Sequence, residues 1–140
     1  MIKTLVTGCL LLVSVSFLGC ASNGTNISKT GKVSIERIPS EKIFIPWADV
    51  YQIEKGLVLK GVIERRNYSP GTVTSHVDTY MASTKQYISS SDEIVLGQKR
   101  VGRGIQWKRF SIILPDNVVQ EQIVAQVHLG RLAECKRQHL

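Results

Sequence analysis

Leu57-Val-Leu-Lys-Gly-Val-Ile-Glu-Arg-Arg66, Asn67-Tyr-Ser-Pro-Gly71 and Thr72-Val-Thr-Ser-His-Val-Asp-Thr-Tyr-Met81 run on as one stretch, and its reading decides the fold class. In the first segment Leu57, Leu59 and Ile63 share one phase of a period-two alternation, and Lys60 and Glu64 share the other. That is the pattern of a half-buried strand. Gly61 in the middle marks a bulge or a close backbone approach. The second segment is a turn signal with Pro70-Gly71 at its tip. In the third, Val73, Ser75, Val77 and Thr79 face one way, and Thr74, His76, Asp78 and Tyr80 the other. The expectation is a hairpin of Leu57–Arg66 with Thr72–Met81.

Working upstream, Trp47–Glu54 is less regular, with Trp47, Tyr51 and Ile53 on one face. Lys42–Ile45 is a short apolar run closed by Pro46, and Lys32–Ile38 alternates before stopping at Pro39-Ser40. Downstream, Ala82–Asp92 is a polar, serine-rich loop with a short strand at Gln86–Ile88. Glu93–Leu96 and Ile105–Leu114 are strand-like and are separated by Gly97–Gly104. Glu121–Leu129 alternates cleanly after the stop at Pro115-Asp116-Asn117. A helix from Asp116 competes there, because Val119, Ile123 and Val127 lie four apart, but the β-branched residues favour a strand. Roughly seven short strands with turns every 8–12 residues predict an all-β, antiparallel β-sandwich. The closing order of strands resembles immunoglobulin- and fibronectin-type modules. That likeness concerns architecture and implies no function.

At the other end of the chain, Lys3 precedes an apolar run, Thr4–Leu18, which is too short for a spanning helix of about 20 residues. The order of charge, apolar run and small residue is that of a secretory signal. Its ending, Phe17-Leu18-Gly19-Cys20, resembles the lipobox of bacterial lipoproteins. Val6-Thr7-Gly8-Cys9 fits that pattern more closely, but too few apolar residues precede it. The resemblance implies that residues 1–19 are a cleaved signal helix and that Cys20 becomes the acylated N-terminus. Ala21, rather than Asp, after the cysteine implies lipid anchoring in the outer membrane, facing the periplasm. Residues 20–31 then form a lipidated N-terminus and a small, polar, flexible linker with a span of about 18 Å. Residues 32–130 form the sandwich, and 131–140 a charged tail.

Without the signal the chain keeps 11 Asp+Glu and all of its 18 Lys+Arg except Lys3, a net +6. Such a domain is drawn toward the lipid bilayer that anchors it, toward another envelope protein, or toward an anionic envelope polymer. Nucleic acid is not an expected partner for a tethered periplasmic protein. Of the three cysteines, Cys9 leaves with the signal and Cys20 takes the lipid. Cys135 remains without an intramolecular partner, so any disulfide it forms is intermolecular.

The sequence carries no Gly-x-Ser-x-Gly, His-Glu-x-x-His, Cys-x-x-Cys or phosphate-loop signature, and no cofactor is implied. Two groups of residues stand out. Lys99, Arg100, Arg103, Trp107, Lys108 and Arg109 cluster around Gly102 and Gly104 as a candidate anion- or partner-binding loop. Its plain alternative is a solvated turn whose charges guard an edge strand, partly paired with Asp92-Glu93. His76 and Asp78 lie on one face of a strand, and His128 has a matching phase on the last strand. They are candidates for a metal or a catalytic base, although an ordinary polar surface explains them as well. The leading expectation is a non-enzymatic binding or envelope-assembly lipoprotein. The alternative is a metal-dependent or hydrolytic enzyme using His76, Asp78 and His128, which requires the two imidazoles to converge.

Overall fold

The computed structural model describes residues 24–66, 71–97 and 106–132. The described residues form nine strands: β1 (Thr25–Asn26), β2 (Ser34–Ile38), β3 (Ile43–Ile53), β4 (Gly56–Arg65), β5 (Val73–Met81), β6 (Tyr87–Ser90), β7 (Ile94–Leu96), β8 (Trp107–Leu114) and β9 (Gln122–Leu129). A single 3-10 turn, Asp116–Val118, joins the last two. One sheet has the order β1-β3-β4-β8. The other has the order β2-β9-β5-β6, with β7 also on β5. All pairings are antiparallel except β2 with β9. The expected all-β sandwich is present, with two more strands than the sequence suggested.

The alternation read from sequence builds the core. Leu57, Leu59 and Ile63 of β4 turn inward with Val50 of β3 and Ile112 of β8. They meet Val77 of β5 and Ile123, Ala125 and Val127 of β9. Each large side chain withdrawn this fully contributes about 1.5–3 kcal/mol. Val118, 0% exposed, is part of the same cluster and ties the 3-10 turn to it. Gly61 also belongs to the inner row. A Cβ there would lie 2.6 Å from Cζ of Phe110 and 2.8 Å from the Trp47 carbonyl oxygen, so the Phe110 ring occupies the space that glycine leaves.

Three expectations need correction. First, Leu57–Arg66 and Thr72–Met81 do not form a hairpin. β4 is paired along one edge by β3 and along the other by β8, so no edge is free for β5. β5 crosses to the opposite sheet and pairs with β9, β6 and β7. Arg65, only 1% exposed, secures the crossing, its guanidinium donating to the carbonyl oxygens of Gly71 and Gly97 at 2.7 Å each. The tip of the proposed turn, 67–70, lies outside the described residues.

Second, the flexible linker does not extend to residue 31. β1 pairs with β3, Thr25 opposite Gln52 and Asn26 opposite Tyr51. Ile27 is 7% exposed and belongs to the core cluster. The Ser28 hydroxyl accepts from the Val50 N–H and donates to the Val50 carbonyl. One isoleucine in a polar run is a weak signal, and its burial depends on a groove that only the assembled sandwich creates.

Third, Pro46 does not divide β3 into two strands. The register shifts between Phe44 and Trp47, and this bulge absorbs the missing N–H. The C-terminal tail beyond Leu132 lies outside the described residues.

Candidate functional site

The outer face of the first sheet is assembled from three strands. Trp47 and Tyr51 of β3, Val58, Lys60 and Val62 of β4, and Trp107, Arg109 and Ile113 of β8 all point away from the core, as the register requires. Val58 and Val62 are 5% and 9% exposed yet lie outside the core cluster, so their neighbours on this face cover them. Those neighbours are themselves open to solvent: Trp47 is 43% exposed, Trp107 50% and Ile113 79%. Three cations stand over aromatic rings. Lys60 Nζ lies 5.4 Å from the Tyr51 ring centroid, Arg66 Cζ 5.4 Å from Phe44, and Arg109 Cζ 5.9 Å from Trp107. Each exposed pair contributes about 0.5–1 kcal/mol and holds its charge close to the sheet.

A shallow depression of about 510 Å³ runs between Trp47, Tyr51, Lys60 and Arg109, with Gly61 and Phe110 in its floor. Two carboxylates share the face. Asp49 accepts from the Asn26 amide at 3.1 Å and lies opposite Lys60. Glu64 sits in register between Phe44 and Trp107.

The candidate basic loop is thus only partly placed. Trp107 and Arg109 join the outer face. Lys108 points the other way, into a groove of about 270 Å³ that it lines with Asp92 and Glu93. The expected proximity of that acidic pair to the cationic segment is present for this lysine and for Arg109, which lines the same groove. Lys99, Arg100 and Arg103 lie outside the described residues, as do Cys20 and Cys135. Sequence reasoning singled out Trp107 and Arg109 but missed their partners in the face. Trp47 and Tyr51 were legible as facing one way, and Lys60 as facing outward. Only the pairing of β3, β4 and β8 puts them side by side.

His76, Asp78 and His128 do converge, as the enzymatic alternative requires. His76 and His128 are cross-strand partners, and their rings stack at 5.6 Å with 16° between planes. Asp78 bridges them, with Oδ1 3.5 Å from His76 Nε2 and Oδ2 3.4 Å from His128 Nε2. The reading of these residues as ordinary surface side chains is overturned, since His76 is 0% exposed and Asp78 3%. The Ser90 hydroxyl donates to Asp78 Oδ1, and the Tyr80 hydroxyl reaches Oδ2 at 3.4 Å. Burial pushes the Asp78 carboxyl up. Its polar contacts with His76 and Ser90, and the charges of both histidines, outweigh that and hold it below the ordinary value.

The geometry suits a closed polar network better than a metal centre. A ring nitrogen offers its lone pair in the ring plane, and two nearly parallel planes do not meet at one ion. Among the described residues no group of His, Cys, Asp and Glu has the arrangement of a metal site. The depression on this side of the second sheet, about 260 Å³, is lined by Glu36, Ile38, Tyr80, Lys85, Val124 and Gln126, not by the triad.

Comparison with models of known families, with curated proteins and with solved structures returned no match.

Proposed function

We propose that this chain is a lipid-anchored envelope protein, acylated on Cys20 and held on the periplasmic side of the outer membrane. Its sandwich serves as a non-enzymatic binding or assembly module. The anchor half of this reading rests on the resemblance of Phe17-Leu18-Gly19-Cys20 to a lipobox. The binding half rests on one observation: three ring-supported cations and two half-exposed tryptophans share one sheet face. Such a face attracts an anionic partner through its charges and holds it through apolar contact with the rings. Full-length protein recovered from membranes, compared with Cys20→Ala, tests both halves. The wild type stays in the membrane fraction with its partner and Cys20→Ala is released. Equal retention of both would remove the anchor.

A metal-dependent or hydrolytic centre at His76, Asp78 and His128 is the second reading, favoured by the convergence of the three side chains. Its test is thermal unfolding with and without added Zn²⁺. A saturable rise in midpoint that is lost in His128→Ala supports it, and an unchanged midpoint removes the metal form.

A further inference from the structure

The folded start of the chain bears on how the domain sits at its anchor. Gly24 has φ +62°, and a Cβ on it would run into the Gln52 carbonyl. The next residues pair with β3, Thr25 opposite Gln52 and Asn26 opposite Tyr51. Tyr51 carries one of the ring-supported cations. The tether therefore leaves the domain at the edge of the aromatic face, about one strand spacing (~4.8 Å) from Tyr51. From Cys20 to Gly24 there are four peptide steps, and a fully extended chain covers at most about 14 Å over them. An acyl chain on Cys20 keeps this edge of the sheet within that distance of the headgroups.

We infer that the outer face of the first sheet lies against the bilayer to which the chain is anchored and binds the phosphate headgroups of anionic lipid. This rests on the lipid-anchor reading above. Charge and shape fit this occupant. Lys60, Arg66 and Arg109 match headgroup phosphates, with the surplus positive charge of the domain behind them. Trp47 and Trp107 are the side chains that favour a membrane–water interface, with ring bodies on the apolar side and polar N–H groups near water. Ile113, 79% exposed on the same face, gains by entering the acyl boundary and gains nothing in water. A sheet face with one shallow depression suits a planar surface better than the deep enclosure of a small ligand. The tether adds effective concentration, so contacts that are weak singly become persistent.

The chain contains two tryptophans, and both lie on this face, so its intrinsic fluorescence reports the docking directly. The purified acylated protein is reconstituted into vesicles of phosphatidylcholine, with and without phosphatidylglycerol, carrying lipids brominated near the headgroup. The expected result is a blue shift and strong quenching in the anionic vesicles. Mass spectrometry of the N-terminal peptide, run in parallel, tests the acylation of Cys20 by itself. The signal-free chain added to the same vesicles tests the face independently of the anchor. Its partitioning is expected to fall about 25-fold in Lys60→Gln with Arg109→Gln, about fivefold for each cation removed. Arg66→Gln is the second variant, with an expected loss of about fivefold, and circular dichroism confirms that each variant is folded. Unshifted, unquenched emission in protein whose Cys20 is shown to be acylated would overturn the inference. So would charge-dependent binding of a soluble anionic polysaccharide without vesicle binding, which would reassign the face to a polymer.

Discussion

The two sheets share one core but treat their outer faces in opposite ways. The outer face of β3, β4 and β8 places aromatic rings and cations in solvent, with Trp47, Trp107 and Ile113 all more than two-fifths exposed. The outer face of β5 and β9 takes polar groups out of solvent: Asp78 accepts from the Ser90 and Tyr80 hydroxyls and lies within 3.5 Å of both imidazoles, while His76 is closed off with neither ring nitrogen in a direct hydrogen bond. Interfaces take their affinity from aromatic and cationic groups left available to a partner. A buried cluster of polar groups around one carboxylate contributes internal order through that carboxylate's contacts. The first face is therefore the one that the proposed binding role uses, and the second face is held mainly by its own contacts.

The largest expected effect comes from breaking the network. Asp78→Ala leaves the Ser90 hydroxyl and two imidazoles without their shared acceptor, and should cost about 3 kcal/mol by urea unfolding. The same residue shapes the acid limb of stability. Its folded-state carboxyl titrates below the ordinary 3.8. Its stabilisation is therefore fully present above pH 3.8 and is lost as the pH falls below that through the folded value. Asp78→Asn should flatten this part of a midpoint-against-pH curve. An unchanged acid limb would mean that the network does not bias the carboxylate.

Next in size is the segment around β1, which lies at the edge of the aromatic face. Ile27→Ala should destabilise the domain by about 2–3 kcal/mol, because it deletes a core side chain rather than a linker residue. A change within ~0.5 kcal/mol would return residues 25–31 to the linker and loosen the geometry of docking.

The smallest stability effect belongs to the aromatic face. Arg109→Ala and Trp107→Ala remove exposed groups and one cation–ring pair, so each should stay within about 1 kcal/mol in the same unfolding assay. A loss as large as that of Asp78→Ala would make this face structural and collapse the contrast between the sheets.

Parts of the candidate site were legible in residue phase. His76 and Asp78 two apart, with His128 in matching register on the last strand, were enough to propose their meeting. Their burial was not legible, because alternation separates the two faces of a strand without saying which is covered. Trp107 and Arg109 were visible as part of a charged cluster. Lys60 was visible only as a residue of the polar phase of its strand, and Trp47 only as sharing a face with Tyr51 and Ile53.

By itself the sequence determined which segments are extended and which side chains share a face. Period-two alternation and β-branched residues act locally, and β9 is a strand for that reason. The tertiary structure alone decided who pairs with whom. The turn signal at Asn67–Gly71 promised a hairpin, but β3 and β8 occupy both edges of β4, and a strand offers only two edges for hydrogen bonding. The same competition for edges left β3 one side free for β1, which placed Thr25 and Asn26 on the sheet at the edge of the aromatic face.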